Sequence, residues 1–100
     1  MLRHIVFFRL KDTPDGNTAA QNAAELKRRL EALPPRIPEI CSLEAGIDVL
    51  RGDASYDLAL TVDLDDLAAL ERYRVHPEHQ KVVQFVKEVT SARAAVDYER

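Results

Sequence analysis

The sequence predicts an α+β domain in which strands and helices follow one another in the order β-α-β-β-α-β. Apolar residues alternate with a period of two in four segments, and they recur at spacings of three and four in two others. Prolines or turn-forming residues separate these segments. With 100 residues, of which 46% are apolar and 31% charged, the chain fits a single domain over residues 1–100.

The first strand is predicted over residues 2–11. Val6 and Phe8 share one of its faces, and Ile5 and Phe7 share the other. Because both faces are apolar in the middle of the strand, both must be covered. A helix follows a turn rich in Pro, Asp, Gly and Asn, and two consecutive prolines end it. Its single apolar stripe comprises Ala19, Ala23, Leu26, Leu30 and Leu33.

The second and third strands are predicted on either side of a hairpin loop at residues 51–55. Cys41 begins the apolar side of the second strand and is interpreted as a small buried residue, since a lone thiol forms no intrachain disulfide. That side is compatible with either layer of the protein. It comprises Cys41, Leu43, Ala45, Ile47 and Val49. The packed side of the third strand comprises Tyr56, Leu58, Leu60, Val62 and Leu64.

The second helical region is predicted to break at His76-Pro77. Asp65 or Asp66 can cap its first part, and Pro77 suits the first position of a new helix that runs to about Val89. A final strand then carries Ala94, Val96 and Tyr98 on one side. This order is that of the ferredoxin-like fold, an antiparallel sheet with helices on one face only.

The face of the sheet that carries no helix would expose apolar side chains in a single subunit. In one register these side chains are Ile5, Phe7, Val96 and Tyr98. Packing two such sheets face to face removes the patch from water. The sequence therefore predicts a homodimer that forms a dimeric α/β barrel.

Composition argues against several classes of partner. The net charge of −3, with 17 acidic and 14 basic residues mixed along the chain, provides no basic surface for nucleic acid. No apolar run approaches the roughly 20 residues that cross a bilayer, and no secretory signal is recognisable, so a cytoplasmic protein without a membrane partner is expected. The sequence has no glycine-rich phosphate loop, serine elbow or dinucleotide fingerprint, and no cofactor is expected.

Two histidines are predicted to point into one cavity between the sheet and the helices. His79 lies on the apolar stripe of the last helix, and His4 lies on a strand face with apolar neighbours. Burial disfavours the imidazolium, so both rings should be neutral and able to accept a proton. Tyr73 can add a hydroxyl across the helix break, which gives a plausible acid/base pair. The predicted ligand-binding residues are Val6, Phe8, Leu60, Val62, His76, Val82, Val83 and Val86.

Other interpretations of these side chains stay open. His4, Tyr73 and His79 could hydrogen-bond only to each other or to backbone in a dry core. A metal site that uses His4, His76 and His79 is disfavoured, because Pro77 fixes the backbone between the last two and no carboxylate completes the ligand set. His76 itself is interpreted mainly as a structural residue at the helix break.

Three segments resemble the stress-responsive A/B-barrel (Dabb) domain family, and the resemblance as a whole covers nearly the entire chain. They are residues 4–11, 73–80 and 96–99, and the Tyr-x-x-His-Pro-x-His pattern that begins at Tyr73 is the most specific. The resemblance implies a dimeric α+β barrel. It also implies a stress-related role. Many members of the family have no assigned reaction.

The family includes polyketide cyclases of the olivetolic acid cyclase type, and the resemblance to them implies roles for Tyr73, His79 and His4. Their tyrosine and histidine at the places of Tyr73 and His79 carry an aldol cyclisation, with a strand-one histidine at the place of His4. The resemblance implies that His79 acts as base on a carbon acid while Tyr73 steadies the carbonyl oxygen. Aromatic residues that line their pocket are replaced here by residues such as Arg28 and Thr90, so a different substrate is expected.

Three functions are therefore left open by the sequence. The first is binding of a carbonyl-containing metabolite with cofactor-free cyclase, lyase or isomerase chemistry. The second is a non-catalytic role in stress or assembly, and the third is cofactor-free monooxygenation. The identity of the ligand is not indicated by any motif.

Overall fold

The computed structural model describes residues 1–100 and contains four strands and three helices. In chain order they are β1 (Leu2–Leu10), α1 (Ala19–Glu31), β2 (Ser42–Ile47), β3 (Leu58–Leu64), α2 (Leu67–Val75), α3 (Pro77–Val89) and β4 (Thr90–Glu99). The predicted order β-α-β-β-α-β, with the second helical region divided in two, is confirmed. No helix has the length and apolar character needed to span a membrane.

The four strands form one antiparallel sheet in the order β2-β3-β1-β4. β1 lies in the interior of the sheet, where His4 is paired with Val62 on one side and with Asp97 on the other. Residues directly opposite each other in an antiparallel pair point to the same face of the sheet. This register therefore places His4 and Asp97 together on one face.

The helix ends follow from the capping residues in the sequence. Thr18 caps α1 in a capping box with Gln21, whose side chain accepts from the N–H of Thr18. Of the two acidic residues before α2, Asp66 is the cap, and it accepts a hydrogen bond from the N–H of Ala69 at 2.8 Å. His76 ends α2 and caps α3, which fixes the angle between the two helices at the predicted break.

The core lies between the helices and one face of the sheet. Its members come from every element except β4 and include Phe8, Leu26, Leu30, Leu60, Val62 and Val86. The other face carries no helix, and there Phe7, Val96 and Tyr98 are 41%, 58% and 41% exposed. The predicted open apolar face is therefore present in the subunit, and we call this surface of Ile5, Phe7, Val96 and Tyr98 the open face.

The structure settles which layer β2 joins and corrects the extent of its apolar side. Leu43 lies opposite Val62 and Ala45 opposite Leu60, so this side faces the helices. The strand ends at Ile47, and Val49 beyond it is 94% exposed. The prediction that Cys41 is buried was wrong. Cys41 precedes the first residue of an edge strand, where no neighbouring strand or helix covers it.

Candidate functional site

A cavity of about 210 Å³ lies between the helix-facing side of the sheet and helices α2 and α3. His4, Tyr73 and His79 all line it, so the structure brings together the three side chains proposed as catalytic. A wider depression of about 450 Å³ lies beside Phe7 and Tyr56. That depression contains none of the three, and we therefore take the smaller cavity as the candidate site.

Tyr73 forms the floor of the cavity. Its side chain is fully buried on α2, and its hydroxyl has no hydrogen-bond partner. The centre of its ring is 4.3 Å from that of His79 and 6.0 Å from that of His4. Burial raises the pKa of Tyr73 above its usual value of 10.0, so the hydroxyl stays protonated at neutral pH. A protonated, unpartnered hydroxyl is available to donate a hydrogen bond to a ligand.

His79 is held by a backbone carbonyl at the end of α2. The carbonyl of Arg74 has no partner within the helix because α2 ends at Val75, and Nδ1 of His79 lies 3.1 Å from that oxygen. A carbonyl accepts, so Nδ1 carries the proton and Nε2 is left unprotonated in the neutral ring. Burial lowers the pKa of His79 below 6.5, more than the hydrogen bond to Arg74 raises it. His79 is therefore neutral at pH 7 with Nε2 as a proton acceptor.

His4 is paired with a carboxylate that the sequence analysis did not identify. Its Nδ1 donates to Oδ1 of Asp97 at 2.5 Å, across the β1–β4 pairing. His4 is thus one half of an oriented pair and not an isolated polar group in an apolar layer. A signal for this existed in the sequence, since pairing Ile5 with Val96 on the open face places His4 opposite Asp97 on the other.

Most of the predicted ligand-binding residues line the cavity, and two lie elsewhere. The six that line it are Val6, Phe8, Leu60, Val82, Val83 and Val86. Val62 lies completely buried in the core and does not reach the cavity. His76 is outside the lining as well, because its Nδ1 accepts a hydrogen bond from the N–H of Glu78 at 3.1 Å to cap α3. Its structural role at the helix break is confirmed.

The structure also shows what each of the three side chains bonds to. His4, Tyr73 and His79 form no hydrogen bond with one another, since His4 bonds to Asp97 and His79 to backbone. No group of three His, Cys, Asp or Glu side chains is close enough to hold a metal ion. The three side chains therefore line one cavity without bonding to one another.

Two arginines at the mouth of the cavity were also missed. Arg74 lies at the end of α2 and Arg93 on β4, and both are exposed where the cavity opens to solvent. The sequence alone gives no signal for them, because exposed arginines are common on helices and edge strands.

The partly buried, neutral imidazole of His79 makes the stability of the protein depend on pH. The pKa of His79 is lower in the folded chain than its ordinary value of 6.5, so the unfolded state binds more protons over this interval. This contribution to stability is fully present above about pH 6.5 and is lost as the pH falls through the folded pKa.

We expect His79→Gln to reduce the loss of unfolding free energy between about pH 7 and pH 5. Urea unfolding at both pH values and one protein concentration measures this loss in each variant. His76→Asn is the matched control, since His76 lies outside the cavity and asparagine is a good N-cap. Equal losses in wild type and His79→Gln would contradict the prediction.

Comparison with known proteins identifies a matching family model and a similar bacterial protein. The family model for the stress responsive A/B barrel domain matches residues 2–100. An uncharacterised protein of Streptomyces coelicolor is 32% identical over 99 residues, which cover 99% of each chain.

Two crystal structures of dimeric ferredoxin-like proteins of unknown function are also similar. One, from Bacteroides fragilis, is 33% identical with a TM-score of 0.86, covering 99% of this chain and 95% of its own. The other, from Thermobifida fusca, is 30% identical with a TM-score of 0.81, covering 99% and 90%. Since the family model spans nearly the whole sequence, this chain belongs to the stress-responsive A/B-barrel (Dabb) domain family.

Proposed function

We propose that this protein is a homodimer that binds a small carbonyl-containing metabolite and catalyses cofactor-free proton transfer on it, with His79 as base and Tyr73 as hydrogen-bond donor. One observation carries the proposal. A neutral imidazole with a free Nε2 and a buried hydroxyl without a partner share one cavity, with ring centres 4.3 Å apart. Buried polar groups are otherwise nearly always satisfied, so a buried hydroxyl without a partner beside a neutral imidazole suggests a ligand.

The two groups have complementary chemistry for removing a proton beside a carbonyl. In the proposed step, Nε2 of His79 takes a proton from the carbon next to the carbonyl, and negative charge develops on the carbonyl oxygen. The hydroxyl of Tyr73 donates a hydrogen bond to that oxygen, which stabilises the charge most in the transition state. In a cyclase the enolate carbon bonds to a second carbonyl carbon, and His79 returns its proton to the alkoxide that forms. In a lyase the enolate expels a group from the neighbouring carbon, which takes the proton, and in an isomerase His79 returns the proton to a different carbon. No electron acceptor is needed, which fits cyclase, lyase or isomerase chemistry.

His4 is proposed to assist as an oriented polar group on the other side of Tyr73. The hydrogen bond to Asp97 fixes the ring through Nδ1 and leaves Nε2 for a ligand. Nine apolar side chains line the cavity around the three groups, and such low-polarity surroundings strengthen electrostatic effects within the site.

The homodimer is proposed to form through the open face. Two relatives that are at least 30% identical are described as dimeric, and both share the fold of this chain. The apolar side chains of the open face come from two adjacent strands and form one continuous patch. Such a patch on one face of a sheet is typical of a surface that packs against another protein.

The alternative is a non-catalytic stress or assembly protein, and proton exchange distinguishes it from an enzyme. Wild type and His79→Ala are incubated in deuterated buffer with a panel of small oxo compounds, and loss of the signal from protons beside the carbonyl is followed by NMR. We expect exchange in wild type to be at least about 100-fold faster than in His79→Ala, the usual size of general-base catalysis.

His76→Asn is the control for replacement of a neighbouring histidine and should exchange at the wild-type rate. A compound that binds to wild type but exchanges no faster than in His79→Ala would contradict the catalytic part of the proposal and support the binding role alone. Oxygen uptake with the same compounds would instead support the monooxygenase option.

A further inference from the structure

The mouth of the cavity carries more positive than negative charge. Arg74 and Arg93 both line it, and Asp97 is the only carboxylate there. That carboxylate is already hydrogen-bonded to His4 at 2.5 Å. An anionic group of a ligand would therefore be favoured at this mouth.

Arg93 is positioned by the sheet and has no partner within the chain. It lies opposite Phe8 in the β1–β4 pairing, so its side chain leaves the sheet on the face that bears the cavity. It forms no ion pair and donates no side-chain hydrogen bond, whereas Arg74 is 3.6 Å from Glu71. A guanidinium has five donors in a fork that matches a carboxylate, and all of those of Arg93 are free.

The two ends of the cavity differ in polarity and depth. Tyr73 at the floor is fully buried, and Arg93 at the mouth is exposed. The volume of about 210 Å³ is below the roughly 300–1,000 Å³ of pockets that hold drug-sized ligands. The ligand must therefore be short, with a polar group at each end and an apolar middle that contacts Phe8 and Leu60.

We propose that the ligand is a short-chain oxo acid, whose carboxylate is bound by Arg93 with help from Arg74 while its carbonyl lies beside Tyr73. Placing the carbonyl of the ligand beside Tyr73 rests on the proposed function. Placing its carboxylate at Arg93 rests only on the two arginines at the mouth of the cavity. Because Tyr73 is fully buried and Arg93 is exposed, we place the carbonyl inside the cavity and the carboxylate at its mouth, separated by several carbons.

A matched pair of probes tests the carboxylate end. Dissociation constants of 5-oxohexanoate and its methyl ester are measured by calorimetry for wild type, Arg93→Gln, Arg74→Gln and Arg51→Gln. Arg51 is the control, because it is an exposed arginine in the β2–β3 loop whose side chain also lacks an ion pair and lies outside the cavity. Circular dichroism establishes that each variant is folded.

We expect wild type to bind the acid about tenfold more tightly than the ester, as charge-assisted hydrogen bonds are stronger than neutral ones. Arg93→Gln should remove most of this preference, Arg74→Gln part of it, and Arg51→Gln none. Raising the salt concentration should weaken binding of the acid alone. Equal binding of acid and ester by wild type, including no binding of either, would overturn the proposal, as would an unchanged preference in Arg93→Gln.

Two further outcomes separate this inference from the proposed function and from another anion. Preference for the acid that depends on Arg93, with no proton exchange, would keep the oxo-acid site and contradict catalysis. If the ester binds as tightly as the acid and its protons exchange at the same rate, catalysis would be kept and the carboxylate site would be contradicted. Inorganic phosphate that competes more strongly than acetate would assign the mouth to a phosphate group and overturn the carboxylate.

Discussion

Val96→Lys is expected to convert the dimer into folded monomers. Val96 is 58% exposed in the subunit and lies opposite Ile5 at the centre of the open face. In a symmetric dimer the same patch meets itself, so the variant places two lysines in one apolar interface. Desolvated like charges cost several kcal/mol, and we expect the dissociation constant of the dimer to rise by more than about 100-fold.

Leu67→Lys provides a matched control for this variant. Leu67 is also an exposed apolar residue, at 60%, but it begins α2 on the helical side of the subunit. Light scattering coupled to size-exclusion chromatography over a range of concentrations measures the mass of each variant. Wild type and Leu67→Lys should have about twice the mass of the 11.3 kDa chain, and Val96→Lys should approach the single-chain mass. Dimers of Val96→Lys at low micromolar concentration would contradict assembly through the open face.

Tyr73→Phe is expected to change stability and activity in opposite directions. The hydroxyl of Tyr73 is buried without a hydrogen-bond partner, and such a group destabilises a folded protein by about 1–3 kcal/mol. Phenylalanine keeps the ring that contacts His79 and removes only the oxygen. We expect the free energy of unfolding to rise by about 1 kcal/mol. Proton exchange on a bound carbonyl compound should fall by about 100-fold, as for loss of one oxyanion donor.

Tyr56→Phe is the control for removal of a tyrosine hydroxyl. Tyr56 lies outside the cavity, where its ring is 4.5 Å from the guanidinium of Arg9, so its replacement should change the free energy of unfolding by less than about 0.5 kcal/mol. Denaturant unfolding at one protein concentration and the NMR exchange assay provide both readouts. Destabilisation of Tyr73→Phe would show that the hydroxyl makes a stabilising bond, and unchanged exchange would exclude Tyr73 from the reaction.

The elements of the fold were predictable because their signals are local. The apolar stripe of α1, the cap at Asp66 and the proline that begins α3 each act within a few residues of the chain. Strand alternation also identified the open face, because apolar residues on both sides of β1 require two covering layers. The ends of the strands were predicted less accurately, because pairing with a neighbouring strand decides where a strand ends. Val49 therefore lies outside β2 although it continues the alternating pattern.

The candidate site was predictable where the periodicity of a single strand or helix decides which side chains share a face, as for His4 on β1 and His79 on α3. His79 and Tyr73 lie on either side of one proline break, so their shared cavity follows from the spacing in the sequence. Asp97 and Arg93 enter the site through the pairing of β4 with β1, which joins residues more than 80 positions apart. A shift of that register by one residue would turn both side chains to the open face.

The sequence by itself determined the order of the elements, the break at His76-Pro77 and the apolar character of both faces of β1. It also predicted that His4, Tyr73 and His79 share one cavity. Tertiary structure alone decided that Cys41 is exposed, that Val62 is completely buried in the core and that Arg93 lines the cavity. The physical reason is the range of the interactions. Periodicity and capping act between neighbours along the chain, whereas burial and strand register depend on partners that only the folded sheet brings together.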